Sequence, residues 1–386
     1  MKNGIRQSVY CAFLFWQFLT VNHLLVGGVY MKFKKFVDST WLIGLAITVL
    51  SAAVLFFSAG TVKAADKQKV IKWRMQDIWG PEVFYHKANL KLAARIKEMS
   101  NGRLDIQMFP TNSLISARNS FDAIRKGVFQ GHISCPAYWA GKMPASAILF
   151  SVPGGIDSVL DFNTWFWERG GIGLAREAYK KFGLYCVGPG IAEESYQFIK
   201  ERHPVRSLAD YKGLKIRTLP GLQSQLMEAL GANPVFIPQS EVYTAVETGV
   251  LDGVSGYSTV GWYQFGIHEI TKYCITPGFI VPVMNLDVVV NMKAWNKLPP
   301  DLQAIFECAV REWNQYWYSG AHLQNRNALN QMVKHGIEIL RHSDEDLQKI
   351  RETALPIVDK WAAKDPLAKK VWESQKDYLR FLGKIK

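Results

Sequence analysis

A chain of 386 residues, 48% hydrophobic and 20% charged, is too apolar to be disordered and long enough for two compact domains. Its formal net charge of +13 favours anionic partners in general. The Lys and Arg residues are dispersed rather than run together, which excludes a basic arm built for nucleic acid.

The first 65 residues read as a leader outside the fold. Apolar runs extend from Val9 to Tyr30 and from Trp41 to Ala59. Lys32, Lys34 and Lys35 precede the second run and Val62-Lys63-Ala64 follows it. That is the basic start, apolar centre and small-residue end of an export signal cleaved near Ala64. Met31 opens this signal, so residues 1–30 become an upstream extension and 31–64 the signal peptide. A retained membrane hairpin is the alternative, since both runs approach spanning length. Residues 1–65 hold six Lys/Arg and one Asp, leaving 40 basic against 32 acidic residues, or +8, in the exported part.

From Lys69 onward strands and helices alternate. Val70 to Met75 makes a first strand, Leu92, Ala93, Ile96 and Met99 keep helical spacing, and Asn101-Gly102 supplies the stop. Leu104, Ile106 and Met108 alternate with polar residues as a second strand, and Gly131 to Ser134 makes a third after a short helix at Ser120 to Lys126. The same order recurs after Asp210: strand Leu214 to Arg217, helix Leu222 to Leu230, strand Pro234 to Ile237, a helix ending at Gly249, and strand Val250 to Val254. Lys126-Gly127-Val128-Phe129-Gln130-Gly131 parallels Thr248-Gly249-Val250-Leu251-Asp252-Gly253, which suggests two similar α/β lobes. Leu286 to Val290 is a further strand. Pro299-Pro300 then opens a long helix that can be followed toward His335, and Asp344 to Leu382 reads as amphipathic helix interrupted at Pro356 and Pro366.

The expected architecture is an α/β clamshell with a long brace helix. Residues 66–190 with 278–300 form one lobe and 191–277 the other. Residues 301–386 supply the brace and C-terminal helices packing on both. Ligand is expected at the C-terminal ends of the strands.

Catalytic chemistry is sparse. No H-E-x-x-H occurs, and Gly253-Val254-Ser255-Gly256 falls one residue short of a nucleophile elbow. Gly170-Gly171-Ile172-Gly173 follows an aromatic run rather than a strand and reads as the packed start of a helix. Cys135, Cys186, Cys274 and Cys308 are widely spaced, without a C-x-x-C or His at ligand spacing. Buried free thiols are expected there, with no zinc and no other metal or cofactor. Arg217 stands out instead. It ends a short strand before Thr218-Leu219-Pro220-Gly221, where a guanidinium can face a cleft and pair with a carboxylate.

These residues resemble a known family. Asn101-Gly102-Arg103-Leu104, Tyr211-Lys212-Gly213-Leu214-Lys215-Ile216-Arg217, Leu230-Gly231-Ala232-Asn233-Pro234-Val235 and Glu247-Thr248-Gly249-Val250-Leu251-Asp252-Gly253 are similar to the DctP-type solute-binding proteins of tripartite ATP-independent periplasmic (TRAP) transporters. Pro136-Ala137-Tyr138-Trp139, Val152-Pro153-Gly154-Gly155 and Thr276-Pro277-Gly278-Phe279 resemble its branch for 2-oxo and 2-hydroxy acids. The resemblance implies a periplasmic, non-catalytic receptor for a small organic anion, delivering it to the membrane permease subunits. It makes Arg217 the carboxylate clamp, and sets Tyr138 and Trp139 over the ligand, with core aromatics as the other reading of that pair. Tyr196 and Gln197 fall near a family Gln, with the alignment open by one residue. The branch carries Glu-Trp beside a metal where this chain has Ser255-Gly256. That departure removes the anionic ligand a hard cation wants and leaves Ser255 and Tyr257 as the residues facing that space. Related proteins pair through a C-terminal helix, so a homodimer is open. An exported enzyme using Arg217 as a substrate clamp, and a sensor partner presenting ligand to a receptor, are the competing readings.

Overall fold

The computed structural model describes residues 69–237 and 239–386; the expected leader, its apolar runs and its cleavage site lie outside them. The chain begins with β1 (Ile71–Asp77), α1 (Phe84–Met99), β2 (Leu104–Phe109), α2 (Ser120–Arg125) and β3 (Gly131–Ser134). Helices α3 (Ala145–Phe150), α4 (Val159–Glu168) and α5 (Gly171–Lys180) lead to β4 (Leu184–Ala192). The chain then enters a second lobe with β5 (Gln197–Ile199), β6 (Lys215–Arg217), α6 (Leu222–Ala229), β7 (Asn233–Val235), α7 (Gln239–Glu247), β8 (Gly253–Val254), α8 (Thr259–Gln264), α9 (Ile267–Ile270) and β9 (Tyr273–Thr276). It returns as β10 (Met284–Asn291) and ends in α10 (Met292–Trp295), α11 (Pro300–Lys334), β11 (Glu338–Arg341), α12 (Asp344–Ala362) and α13 (Pro366–Phe381).

Two sheets result, ordered β2-β1-β3-β10-β4 and β11-β9-β5-β8-β6-β7. In the first, β1 pairs in parallel with β2 and β3, whereas β10 runs antiparallel to β3 and β4. In the second, β6 is parallel to β7 and β8, and β5 is antiparallel to β8 and β9. The repeated glycine motif marks the same junction in both. Gly127 and Gly249 turn the chain with φ of 75° and 81°, left-handed values that cost a side chain but not Gly. Four residues on, Gly131 and Gly253 lie against an antiparallel neighbour. A Cβ at Gly131 would sit 2.8 Å from the Val289 carbonyl, and one at Gly253 would sit 2.7 Å from that of Phe198.

Helix α11 has 35 residues, about 52 Å at 1.5 Å per residue. It packs on β4 and α1 of the first lobe and on α8 of the second. Two carboxamides fasten it: Asn314 Oδ1 accepts from the Ile191 amide at 2.8 Å, and Asn325 Oδ1 from the Val260 amide at 3.0 Å. Each lobe therefore satisfies one backbone donor through the same brace.

Between the two helical stretches expected of the C-terminal part, residues 338–341 form an edge strand parallel to β9. Pro356 does not interrupt α12, which runs through it. Pro356 is exposed, so the carbonyl it cannot bond faces water. Pro366 does start a helix, with Asp365 Oδ2 accepting from the Ala368 amide at 2.9 Å. Cys135, Cys186 and Cys274 are buried free thiols and Cys308 is exposed. No helix among the described residues is long and apolar enough to cross a membrane.

Candidate functional site

The C-terminal end of β6 carries Arg217 into the interior, where it is 1% exposed. β6 pairs with β8 at Arg217↔Val254, so the chain beyond β8 passes beside the guanidinium. Nη1 donates to the Ser255 carbonyl at 2.9 Å and to that of Gly256 at 3.4 Å. Gly256 has φ of 84°, and a Cβ there would stand 3.0 Å from Leu219 Cγ and 3.3 Å from Nη1. Only glycine lets this loop cup the arginine so closely. The Ser195 hydroxyl, on the crossover between sheets, fixes the loop: it accepts from the Gly256 and Tyr257 amides at 2.8 and 3.0 Å and donates to the Tyr257 carbonyl at 2.7 Å.

The guanidinium is nevertheless incompletely satisfied. Its Nε is buried without a hydrogen-bond partner, and among the described residues no carboxylate forms an ion pair with it. Phe236 and Trp262 offer ring faces 5.7 and 5.6 Å from Cζ, a weaker substitute for an anion. Burial pulls the Arg217 pKa down, while Tyr138, Cys135 and Tyr257 act in the opposite sense. A guanidinium keeps its proton even so. What remains is a buried positive charge without a carboxylate partner among the described residues.

Gln76 of the first lobe shows the contrast. It pairs next to β3 as Arg217 does next to β8, one residue beyond the partner of the close-approach glycine. Its amide is fully used within its own lobe, donating to Ile115 O at 2.7 Å and accepting from the Leu114 and Ile115 amides at 2.7 and 3.1 Å.

Beside Arg217 a small cavity of about 40 Å³ opens between the lobes. The first lobe contributes Ile78, Trp79, Tyr85, Tyr138, Phe150, Met284 and Leu286, and the second Leu219, Tyr257 and Ser258. Burial pushes the Tyr85 and Tyr138 phenols up to about 12 and raises that of Tyr257, so all three are hydrogen-bond donors at neutral pH. The Tyr85 oxygen is buried without a partner. Asp77, at the end of β1, is occupied by its own lobe, accepting from His86 Nδ1 at 2.7 Å, Asn89 Nδ2 at 2.8 Å and the Trp79 amide at 3.0 Å.

Tyr138 and Tyr257 thus line the cleft, and Arg217 and the Ser255 backbone lie directly behind its Gly256 and Leu219 wall. Trp139 does not line it. It is stacked between His132 and Phe121, with centroids 5.0 and 5.1 Å away, and its indole donates to Tyr179 Oη at 3.2 Å. The short turn at Pro136–Trp139 sends adjacent aromatics to opposite sides, one to the cleft and one to the core. Gln197 is fully buried on β5 with neither amide atom partnered, outside the cavity lining. Tyr196 lies on the crossover beside Glu194 and is half-buried. Trp79, Tyr85, Ser195, Phe236 and Ser258 were not singled out by sequence. Trp79 sits between a strand end and Gly80-Pro81, the one local signal that could have marked it.

A family model described as bacterial extracellular solute-binding protein, family 7 (DctP) matches residues 75–365. The chain belongs to this family. A monocarboxylate 2-oxoacid-binding periplasmic protein of Nostoc sp. is 31% identical over 311 residues, covering 80% of this chain and 84% of the relative. A TRAP periplasmic solute binding protein from Pseudoalteromonas atlantica, solved with sodium and pyruvate, superposes with a TM-score of 0.73 at 29% identity, covering 81% and 95% of the two chains. One from Colwellia psychrerythraea, with calcium and pyruvate, gives 0.73 at 28% with the same coverage. The DctP assignment makes the chain a periplasmic-type solute receptor rather than an enzyme, which removes the competing catalytic reading.

The loop beside Arg217 brings no anionic side chain of its own for a cation. Ser255 and Gly256 bring no carboxylate, the space at Gly256 is filled by Leu219 and Arg217, and Asp77 is committed elsewhere. Among the described residues no three His, Cys, Asp or Glu side chains are grouped to hold a metal ion.

Proposed function

We propose that the protein captures a small organic carboxylate between its lobes, with Arg217 as the anion clamp, and presents it to the permease of a TRAP transporter. The buried guanidinium without a carboxylate partner carries this reading. Leaving such a charge uncompensated costs several kcal/mol, and a bound carboxylate would recover it through charge-assisted hydrogen bonds from Nε and Nη2. Tyr138, Tyr257 and Ser258 stand where they can donate to further ligand oxygens. Relatives that bind 2-oxoacids or pyruvate support the ligand class.

The reading takes residues 66–190 with 278–300 as one lobe and 191–277 as the other, hinged at the crossovers, a division supported by β4 and β10 sharing one sheet and β5 and β9 the other. It includes export by a signal peptide cleaved near Ala64, checked by N-terminal sequencing of the secreted protein. It leaves room for a homodimer through α13, whose Phe381 is 71% exposed near its end, checked by sedimentation.

The decisive test is a thermal-shift screen against 2-oxo, 2-hydroxy and dicarboxylic acids, sulfonates and sugar acids. A ligand at a hundred times its Kd stabilises by about 2.7 kcal/mol. A carboxylate is expected to raise the Tm of the wild type but not of Arg217→Met. No response to any acid, or an equal response in the variant, overturns the reading.

A further inference from the structure

A second arginine lies near the cleft wall. Arg118 lies in the short turn Ala117–Asn119 of the first lobe and is exposed. Its guanidinium carbon stands 4.6 Å over the ring of Phe236, which belongs to the second lobe just beyond β7. Arg217 stands 5.7 Å from the same ring. Arg118 is also near enough to Tyr138, on the cavity wall, for its charge to act on that phenol. Among the described residues no carboxylate forms an ion pair with Arg118.

Three consequences follow from this geometry. First, the contact joins the lobes, so it exists only while the cleft is shut; opening separates ring and cation. Second, two guanidinium groups directed at one ring repel each other, and a carboxylate held by Arg217 relieves that repulsion. Third, an exposed unpaired cation near the cleft raises the local concentration of anions before entry. We infer that Arg118 is the closing residue of the anion site: it draws the carboxylate to the cleft and then latches the lobes by seating on Phe236 once Arg217 is neutralised. This rests on the proposed role of Arg217, and it assigns Arg118 and Phe236 a part in retention rather than in the primary grip.

The test follows pyruvate, the probe bound by two structural relatives, in stopped-flow fluorescence with the wild type, Arg118→Ala, Phe236→Leu and the double variant. A cation–π contact of an exposed arginine corresponds to about two- to fivefold in a rate constant. Each single variant is expected to speed dissociation by a factor in that range, and Arg118→Ala to add nothing in the Phe236→Leu background. Arg118→Ala is also expected to slow association at low salt, with the difference fading as salt rises, a signature that mere loss of packing does not give. Dissociation from Arg118→Ala at the wild-type rate, or effects that multiply in the double variant, overturns the latch while leaving the Arg217 clamp standing. A wild type that binds neither pyruvate nor any other acid of the thermal screen defeats the clamp first, and the latch with it.

Discussion

Arg217 and Asp287 are both buried ionisable groups lacking a partner of opposite charge, one in each lobe, and they resolve the same difficulty differently. Asp287 lies on β10, wholly buried, accepting from Tyr179 Oη at 2.5 Å and Asn285 Nδ2 at 2.8 Å. Burial pushes its carboxyl up to about 7, so it sheds much of its charge by holding a proton. Arg217 has no such escape, because a guanidinium does not deprotonate in a protein. A buried acid can be part of a resting core. A buried arginine keeps its charge, and under the proposed function its anion comes from outside the chain.

Removing the charge that cannot be shed has the largest expected effect. Arg217→Met should weaken carboxylate binding by about 3–5 kcal/mol, the cost of breaking a buried charge pair, so that calorimetry detects no heat at ligand concentrations that saturate the wild type. The ligand-free protein should melt at the same temperature or higher, since an apolar side chain of similar size replaces an uncompensated charge. A variant that binds as well as the wild type, or whose lost binding merely tracks unfolding, would break the contrast between the two residues.

The acid that can shed its charge leaves a pH signature. With a folded pKa near 7 against an unfolded value near 3.8, Asp287 lends stability that is full below pH 4 and lost as pH rises toward 7. His132, in the same core and stacked on Trp139, is pulled down to about 3 by burial. Its contribution is full above pH 6.5 and lost as pH falls toward 3. Between pH 4 and 6.5 the two slopes oppose, each amounting to about 3 kcal/mol. Asp287→Asn should therefore unmask the histidine: urea-unfolding free energy is expected to rise by about 3 kcal/mol over that range in the variant and far less in the wild type. Parallel profiles would mean that Asp287 is charged in the core and the comparison with Arg217 is empty.

A smaller effect is expected from the loop that cups the arginine. Gly256→Ala places a Cβ at a left-handed position and against Nη1, costing about 1–3 kcal/mol of backbone strain. The displaced guanidinium should also lose roughly tenfold in carboxylate affinity, about 1.4 kcal/mol. Equal affinity with lowered stability would show that the loop shapes the fold but not the clamp.

How much of this was legible beforehand depended on whether a residue's neighbours in sequence are also its neighbours in space. Arg217 was visible because its strand, turn and helix are contiguous, and its environment is set by the next strand's glycine motif. The brace was visible because its apolar spacing persists over 35 residues. Trp139 was not, because one residue of rotation in a tight turn decides between cleft and core, and the decision rests on Phe121, His132 and Tyr179 arriving from elsewhere. β11 was hidden for another reason: three of its four residues are exposed, so it has no buried alternation to reveal it, and pairing with β9 alone makes it a strand. By sequence Asp287 suits a cap before a strand; it lies instead inside β10, where β3, β4 and Tyr179 close around it.

The smallest expected effect bears on the clamp's self-sufficiency. Two structural relatives were solved with pyruvate and with sodium or calcium, and a cation bound next to a carboxylate would share its charge with any other cationic group there. Here Ser255 and Gly256 supply no carboxylate, and a hard cation gains little from hydroxyl and carbonyl oxygens alone when it must give up its water. Asp77, next to the cleft-lining Ile78 and Trp79, already accepts three hydrogen bonds, and turning it toward a cation would strand His86 and Asn89 in the interior. Carboxylate affinity should accordingly change less than twofold, under about 0.4 kcal/mol, when divalent ions are chelated or sodium is replaced by a bulky organic cation at constant ionic strength. Affinity that collapses under either treatment would mean that the cleft recruits a cation through groups other than these, and that Arg217 holds only part of the ligand's charge.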